Sequence, residues 1–454
     1  MLILVVAAIV TLAVPGPAGQ TSRRDVQFDA GAPVVGTTST TAKPGARRST
    51  RHPGAATLTP RGARPPVSAA EVRLQTAMGR ALSAAGPASG ALVYDLGAHT
   101  ELYSMRPAVM RPPASVEKLW TTTALMLTLG PDARMHTTVL GSGSLRNGVW
   151  HGDLYLHGGG DPTFGDPTFN GYWNHGDGPT AGQLAAQLVR RGIRRVTGRV
   201  YADESLFDRR RGGLLTDYLP DTPDFGGQLS ALTYDHGTIT KHYSPATIAA
   251  RELVYTMLDA HIAATASRHE RDAPAGAQTL ATVSSPPLSV MTRLMDVPSD
   301  DLFAEMFTKQ LGVTYGGGGT ISAGARVIAQ TIADQYALHP KILDGSGLSR
   351  DDRSSPLEVV DLLHEVWGTR VGRELVDSLP TVGVDGTVQG IAVKTAAKGR
   401  CVAKTGTLNG VTNLAGYCAG LGHHALAFAL FIDGPPNWSA ITLEGRMVGA
   451  IARY

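Results

Sequence analysis

The four residues Ser115-Val-Glu-Lys118, set at the start of an apolar helical pattern directly after Pro112-Pro113, constrain the fold of this chain more than any other feature. The prolines break the preceding structure and leave Ser115 at a helix start. Residues three apart on a helix share one face, so the amine of Lys118 reaches the hydroxyl of Ser115. A serine hydroxyl is a weak nucleophile unaided. A lysine that is partly desolvated and close to a second cation becomes a neutral amine able to take the serine proton. Lys404, in Lys404-Thr405-Gly406, is the candidate second cation, and Ser299-Asp300-Asp301 lies between the two signatures. Backbone N–H groups at the helix start face the place where negative charge develops on a tetrahedral intermediate. A fold that uses this chemistry has to bring together groups far apart in the chain.

The 454 residues exceed one ordinary core, so two or three domains are expected. A composition of 43% hydrophobic and 17% charged residues with a formal net charge of +3 reads as globular, neither disordered nor membrane-embedded. The Arg pairs at 23–24 and 47–48 sit in low-complexity sequence rather than in a folded basic stripe, which argues against nucleic-acid binding. Residues 1–20 have signal-peptide length and small residues near Ala18 but lack a positive start, so they are expected to be a signal peptide or a signal anchor. Residues 21–67, rich in Pro, Gly, Thr and Arg, read as a disordered tether. Folded structure is expected in 68–131 plus 282–454, with 132–281 as an inserted module of strands and helices. The strand-like runs in the insert are Val149 to Leu156 and Val196 to Tyr201. The order of helix, strands and helix gives an α/β (α+β) fold class, and no fixed period of 20 to 50 residues suggests a repeat.

Cys401 and Cys418 are the whole thiol inventory. They lie equidistant from the turn around Leu408-Asn409-Gly410, so two strands meeting at that turn would set them opposite each other. An even pair in an exported chain predicts a disulfide, against two separate buried thiols. His151, His157 and Asp161 lack a matched third ligand at metal spacing and read as structural. Gly316 to Gly319 has no Lys-Ser/Thr following it at phosphate-loop spacing. No metal or other cofactor is expected.

Taken together, the three signatures resemble those of low-molecular-mass class C penicillin-binding proteins, the D-Ala-D-Ala carboxypeptidase/endopeptidase family. The resemblance runs from about Ala69 to the C-terminus. It includes Pro113-Ala-Ser-Val-Glu-Lys-Leu119, Leu154-Tyr-Leu-His-Gly-Gly-Gly-Asp-Pro-Thr163, Ser285-Pro-Pro-Leu288, Asp301-Leu-Phe-Ala-Glu-Met306, Asp344-Gly-Ser-Gly-Leu348 and Ala403-Lys-Thr-Gly-Thr-Leu408. It implies a penicillin-binding/β-lactamase-like serine transpeptidase fold with a large inserted mixed α/β module. The implied activity is serine D,D-peptidase action on peptidoglycan stem peptides outside the cytoplasm, in the periplasm or cell wall of a bacterium, with β-lactams as covalent inhibitors. Membrane contact would come only through an uncleaved N-terminal anchor.

By the same resemblance Ser115 forms the acyl-enzyme, Lys118 is the base and Ser299 relays the proton. Lys404, Thr405 and Thr407 receive the substrate carboxylate, and Gly406 lets the peptide approach the strand. Asp301 stands in a substrate-binding position where the family has Asn. An ionised carboxylate only accepts hydrogen bonds, and it can pair with Lys118 or Lys404 and keep Lys118 protonated. The alternative reading is therefore a catalytically weakened wall-binding or scaffolding relative.

Overall fold

The computed structural model describes residues 67–212, 226–238, 240 and 242–454. The expected signal segment and all of the expected tether except Val67 fall outside the described residues. The strands are β1 (Gly90–Asp95), β2 (Thr100–Met105), β3 (His136–Arg146), β4 (Val149–His157), β5 (Arg195–Val196), β6 (Val200–Asp203), β7 (Ala266–Glu270), β8 (Gln278–Ser284), β9 (Cys401–Leu408), β10 (Val411–Ala419) and β11 (Ala425–Asp433). They build two sheets.

The first sheet runs β2-β1-β11-β10-β9, so that strands from the two ends of the described chain pair at its centre, Gly90 opposite Phe431. Its central strands are buried on both faces, which explains why β10 and β11 are nearly continuous apolar runs rather than alternating ones. Phe428, Leu430 and Ile432 of β11 pack on one side with Leu74, Met78, Met447 and Ile451, from helices Ala69–Ala85 and Asn437–Ile451. Ala427, Ala429 and Phe431 face the opposite core with Leu119, Trp120 and Leu363, from helices Lys118–Thr128 and Pro356–Val366. Each fully buried large apolar side chain contributes about 1.5–3 kcal/mol. Ser68 caps the first helix by accepting from Glu71 N–H at 3.1 Å.

The second sheet, ordered β7-β6-β4-β3-β8 with β5 on β4, lies entirely between His136 and Ser284 and constitutes the inserted module. Helices Ala181–Arg190 and Pro245–Asp259 bury Leu184, Leu188, Leu253 and Met257 against it. The run expected as one strand from Val196 to Tyr201 is instead split into β5 and β6. Gly198 marks the break, for a Cβ there would lie 2.2 Å from Asp153 Oδ1 and 2.4 Å from Gly152 O. The module leaves and rejoins the main body at one neck. There Ser285 N–H donates to Met135 C=O at 2.9 Å, and Ser285 Oγ accepts from Met135 N–H at 3.0 Å. His157 pairs with Asp203 at 2.9 Å, and Asp161 accepts from Thr163 N–H at 2.8 Å, so both serve local structure. Among the described residues no helix is long and apolar enough to cross a membrane.

Candidate active site

Ser115 belongs to a short 3-10 turn, Ala114–Glu117, that runs directly into helix Lys118–Thr128. Ala114 has φ 48, a left-handed conformation that costs a residue with a Cβ energy and tends to occur where function requires it. Lys118 is fully buried, and its three N–H bonds are all committed. They point to Ser115 Oγ at 3.0 Å, Asp301 Oδ1 at 2.6 Å and Ser346 C=O at 2.8 Å. A neutral amine in the same place would keep two donors, one each for Asp301 and Ser346, and turn its lone pair toward the Ser115 proton.

The Ser346 carbonyl is itself held from below. Glu305 Oε1 accepts from Gly345 N–H at 3.2 Å and Ser346 N–H at 3.0 Å, and Asp344 accepts from Gly347 N–H at 2.7 Å and Ser349 N–H at 2.8 Å. Glu305 follows Asp301 by four residues on helix Asp301–Tyr315, so one turn of one helix presents both carboxylates to the Lys118 region. Burial, reinforced by the charge of Asp344, pushes the neighbouring Asp352 up to about 9.

Ser299 adopts φ 67 just before that helix, and Asp300 caps it by accepting from Phe303 N–H at 2.9 Å. The other oxygen of Asp300 meets His236 Nε2 of the inserted module at 2.7 Å. Lys404 reaches across from β9 and donates to Ser299 Oγ at 2.7 Å and to Thr405 C=O at 3.1 Å. Burial first, and the charge of Lys118 second, lower Lys404 to about 7. Burial also raises nearby Asp296 to about 6, where it accepts from Thr122 and Ser378 hydroxyls, each at 2.8 Å.

Strand β9 is an edge of the five-stranded sheet, and Gly406 lets it lie against the serine turn. A Cβ at 406 would stand 2.4 Å from Pro113 O, 2.9 Å from Val116 N and 3.1 Å from Ser115 N. Asn413, opposite Gly406 on β10, donates to the carbonyls of Pro112 and Pro113 at 2.9 Å each and fixes the turn from the other side. Backbone direction alternates along a strand. Ala403 N–H points outward to Pro380 C=O, so Thr405 and Thr407 also turn their backbone groups to the open edge. Thr405 Oγ1 bonds Thr387 Oγ1 at 2.8 Å. Cys401 and Cys418 are register partners on β9 and β10 and form a disulfide.

Thus Ser115, Lys118, Ser299, Asp301 and Lys404 converge in one place, with Thr405, Gly406 and Thr407 along its edge. Glu305, Ser346, Thr387, Asn413 and His236 also belong to it and were not singled out as site residues in the sequence. Glu305 and Ser346 did fall within blocks that carried the resemblance. Among the described residues no group of three His, Cys, Asp or Glu side chains is placed to hold a metal ion.

The chain matches the family model described as "D-Ala-D-Ala carboxypeptidase 3 (S13) family" over residues 75–249 and 227–454. A D-alanyl-D-alanine carboxypeptidase of an Actinomadura species is 27% identical, over 81% of this chain and 82% of that protein. Carboxypeptidase DacB of Mycolicibacterium smegmatis is 31% identical, over 81% and 82%. In fold, the chain is similar to penicillin binding protein 4 of Haemophilus influenzae, with a TM-score of 0.69, 18% identity, and coverage of 83% of this chain and 99% of that one.

Proposed function

This chain belongs to the D-Ala-D-Ala carboxypeptidase 3 family, and from that premise we propose that Ser115 is the nucleophile of a serine D,D-peptidase acting on peptidoglycan stem peptides. The protein is a serine-type D-Ala-D-Ala carboxypeptidase, a hydrolase. Neutral Lys118 takes the Ser115 proton as Oγ bonds to the carbonyl carbon of the penultimate D-Ala. The oxyanion is met by the backbone N–H groups of Ser115 and Thr407, the latter on the open strand edge. As the C–N bond breaks, the proton passes through Ser299 to the departing amine. Lys404, Thr405 and Thr407 hold the substrate carboxylate, and the substrate backbone adds to β9 as a further strand. Water then takes the acyl group from Ser115. The chemistry of β-lactams, which also present an amide carbonyl and a carboxylate, makes them acylating inhibitors of the same serine.

The observation that carries this reading is the convergence of Lys118 Nζ on Ser115 Oγ at 3.0 Å with Lys404 Nζ on Ser299 Oγ at 2.7 Å, from distant parts of the chain. The contact between Asp301 and Lys118 at 2.6 Å favours a second reading, a weakened relative that binds wall peptide and turns over little. Stem peptides lie outside the cytoplasm, and the Cys401–Cys418 disulfide fits an exported protein. Labelling by a fluorescent penicillin, with wild type beside Ser115→Ala, tests the proposal. Label is expected on wild type only, and a wild type without label or an equally labelled variant refutes it.

A further inference from the structure

Residues 342–352 form a closed loop whose neck is the bridge between Lys341 and Arg353, with N–H to C=O distances of 2.8 and 2.9 Å in the two directions. From its middle the Ser346 carbonyl accepts from Lys118 at 2.8 Å. Gly347 lets the loop press on the serine turn, since a Cβ there would collide with Ala114 O. Two carboxyl groups tie the inside of the loop together. Asp344, near its start, accepts from Gly347 N–H at 2.7 Å and Ser349 N–H at 2.8 Å, and Asp352, at its end, accepts from Leu343 N–H at 2.7 Å. Both side chains are fully buried. Glu117 of the serine turn is buried close to them, and neither of its oxygens meets a donor among the described residues.

Three carboxyl groups packed together away from water do not all ionise. Asp344 has the strongest claim to the charge, with an N–H on each oxygen and the Lys118 cation near enough to favour it. Asp352 and Glu117 have weaker claims. The second oxygen of Asp352 meets no N–H or hydroxyl among the described residues, and Asp344, Glu117 and Glu305 all set negative charge against it. The Asp352 side chain nevertheless lies within hydrogen-bonding reach of Asp344. Two carboxyl oxygens bond only with a proton between them, so Asp352 is the donor and Asp344 the acceptor. The raised value of Asp352 agrees with this, and Glu117, raised well above the ordinary glutamate value by burial, is neutral as well.

Resting on the serine peptidase reading above, we propose that Asp352 is a positioning residue for the base: as a protonated acid it donates to Asp344, closes the loop from within, and so aims the Ser346 carbonyl that holds Lys118 Nζ against Ser115 Oγ. The bridge joins the two ends of the loop through side chains, while the peptide groups between them carry the contact to Lys118. An ionised Asp352 would face the Asp344 carboxylate, and the repulsion would push those ends apart. Asp352 touches neither substrate nor the reacting atoms, so its effect falls on the rate of acylation rather than on binding.

The test compares wild type with Asp352→Asn and Asp352→Leu. Asparagine keeps an acceptor for Leu343 N–H and supplies an N–H for Asp344, whereas leucine fills a similar volume and offers neither. In Asp352→Leu, the rate of fluorescent penicillin acylation and kcat for a D-Ala-D-Ala peptide are expected to fall by about ten- to a hundredfold, with KM changed less than about threefold. Asp352→Asn is expected to stay within about threefold of wild type in all of these. An infrared difference spectrum of wild type against Asp352→Asn near neutral pH reads the proton itself, and the carbonyl stretch of a protonated carboxyl group is expected in wild type and missing from the variant. This measurement needs no turnover and decides the matter even where Asp352→Leu does not fold. Acylation in Asp352→Leu at the wild-type rate, or a loss in Asp352→Asn as deep as in Asp352→Leu, overturns the proposal. A wild type that takes penicillin but gives no such band overturns it while leaving the serine peptidase reading standing. A wild type that takes neither peptide nor penicillin removes both.

Discussion

Replacement of Asp301 by Asn tests the contact that, in the proposed mechanism, bears most directly on Lys118. Lys118 is completely buried and Asp301 is 11% exposed, with 2.6 Å between nitrogen and oxygen. Unit charges about 3 Å apart attract by about 5–6 kcal/mol at an effective dielectric of about 20. The desolvation of both groups offsets much of that. What is left is the worth of a hydrogen bond between charged groups, about 1.5–3 kcal/mol. Asparagine keeps the size of the side chain and a hydrogen-bond acceptor but not the charge, so most of that hold on the Lys118 nitrogen is lost. Released from the carboxylate, the Lys118 nitrogen is freer to take the Ser115 proton, with an expected acceleration of acylation of about tenfold. Stopped-flow measurement of fluorescent penicillin acylation from pH 5 to 9 reads this directly, with the melting temperature as a control for folding. An unchanged or slower acylation in a variant that melts like wild type would refute the idea that Asp301 restrains Lys118, and would assign the carboxylate a role of its own.

Lys404, lowered to about 7, holds its positive charge below that pH in the free enzyme and loses it above. Measured kcat/KM for a D-Ala-D-Ala peptide should therefore fall by about tenfold per pH unit on the alkaline side, and a profile flat to pH 9 contradicts this. Gly406→Ala places a methyl group against backbone atoms of the serine turn that are fixed by Asn413. It should cost about 1–3 kcal/mol of stability and slow acylation at least about tenfold, and normal labelling would disprove the close approach. Glu444 is wholly buried, neither of its oxygens meets a partner among the described residues, and burial raises it well above the ordinary glutamate value. The folded state thus keeps a proton that the unfolded chain releases, so its stability contribution is complete in acid and declines as pH rises toward the raised value. Glu444→Gln should raise the melting temperature at pH 8 relative to wild type and change it little at pH 4, and parallel pH profiles would refute the assignment.

Some of the site was legible because its chemistry is local. Ser115 and Lys118 are one helical turn apart, and the hairpin that aligns Cys401 with Cys418 follows from strand symmetry about Asn409-Gly410. The meeting of Lys118, Ser299 and Lys404 was inferred from a resemblance rather than from any pattern in the residues. Glu305 and Asn413 had no signal that spacing could supply. A glutamate in a helix and an asparagine in a strand are ordinary until the fold sets one beneath the Ser346 amide and the other beside Pro112 and Pro113. His236 was silent for the same reason, since its partner Asp300 is brought to it only by the docking of the module. The single strand expected at Val196 to Tyr201 failed because apolar periodicity does not report how closely Gly198 approaches a neighbouring backbone.

The open stretch of β9 is short. Residues 380–382 cover its beginning, where Val382 N–H donates to Cys401 C=O and Ala403 N–H to Pro380 C=O, and Arg350 closes its far end at Asn409. Lys404 already occupies the Thr405 carbonyl, so among the described residues the outward groups left here are chiefly the Thr405 N–H and the backbone groups of Thr407. A ligand laid along this edge finds so few main-chain partners that it cannot slide by a dipeptide and bond equally well. In the proposed mechanism, registration of the scissile bond over Ser115 is thus built into the length of the gap, and the same brevity denies another chain the long run of free amides that strand-to-strand aggregation requires.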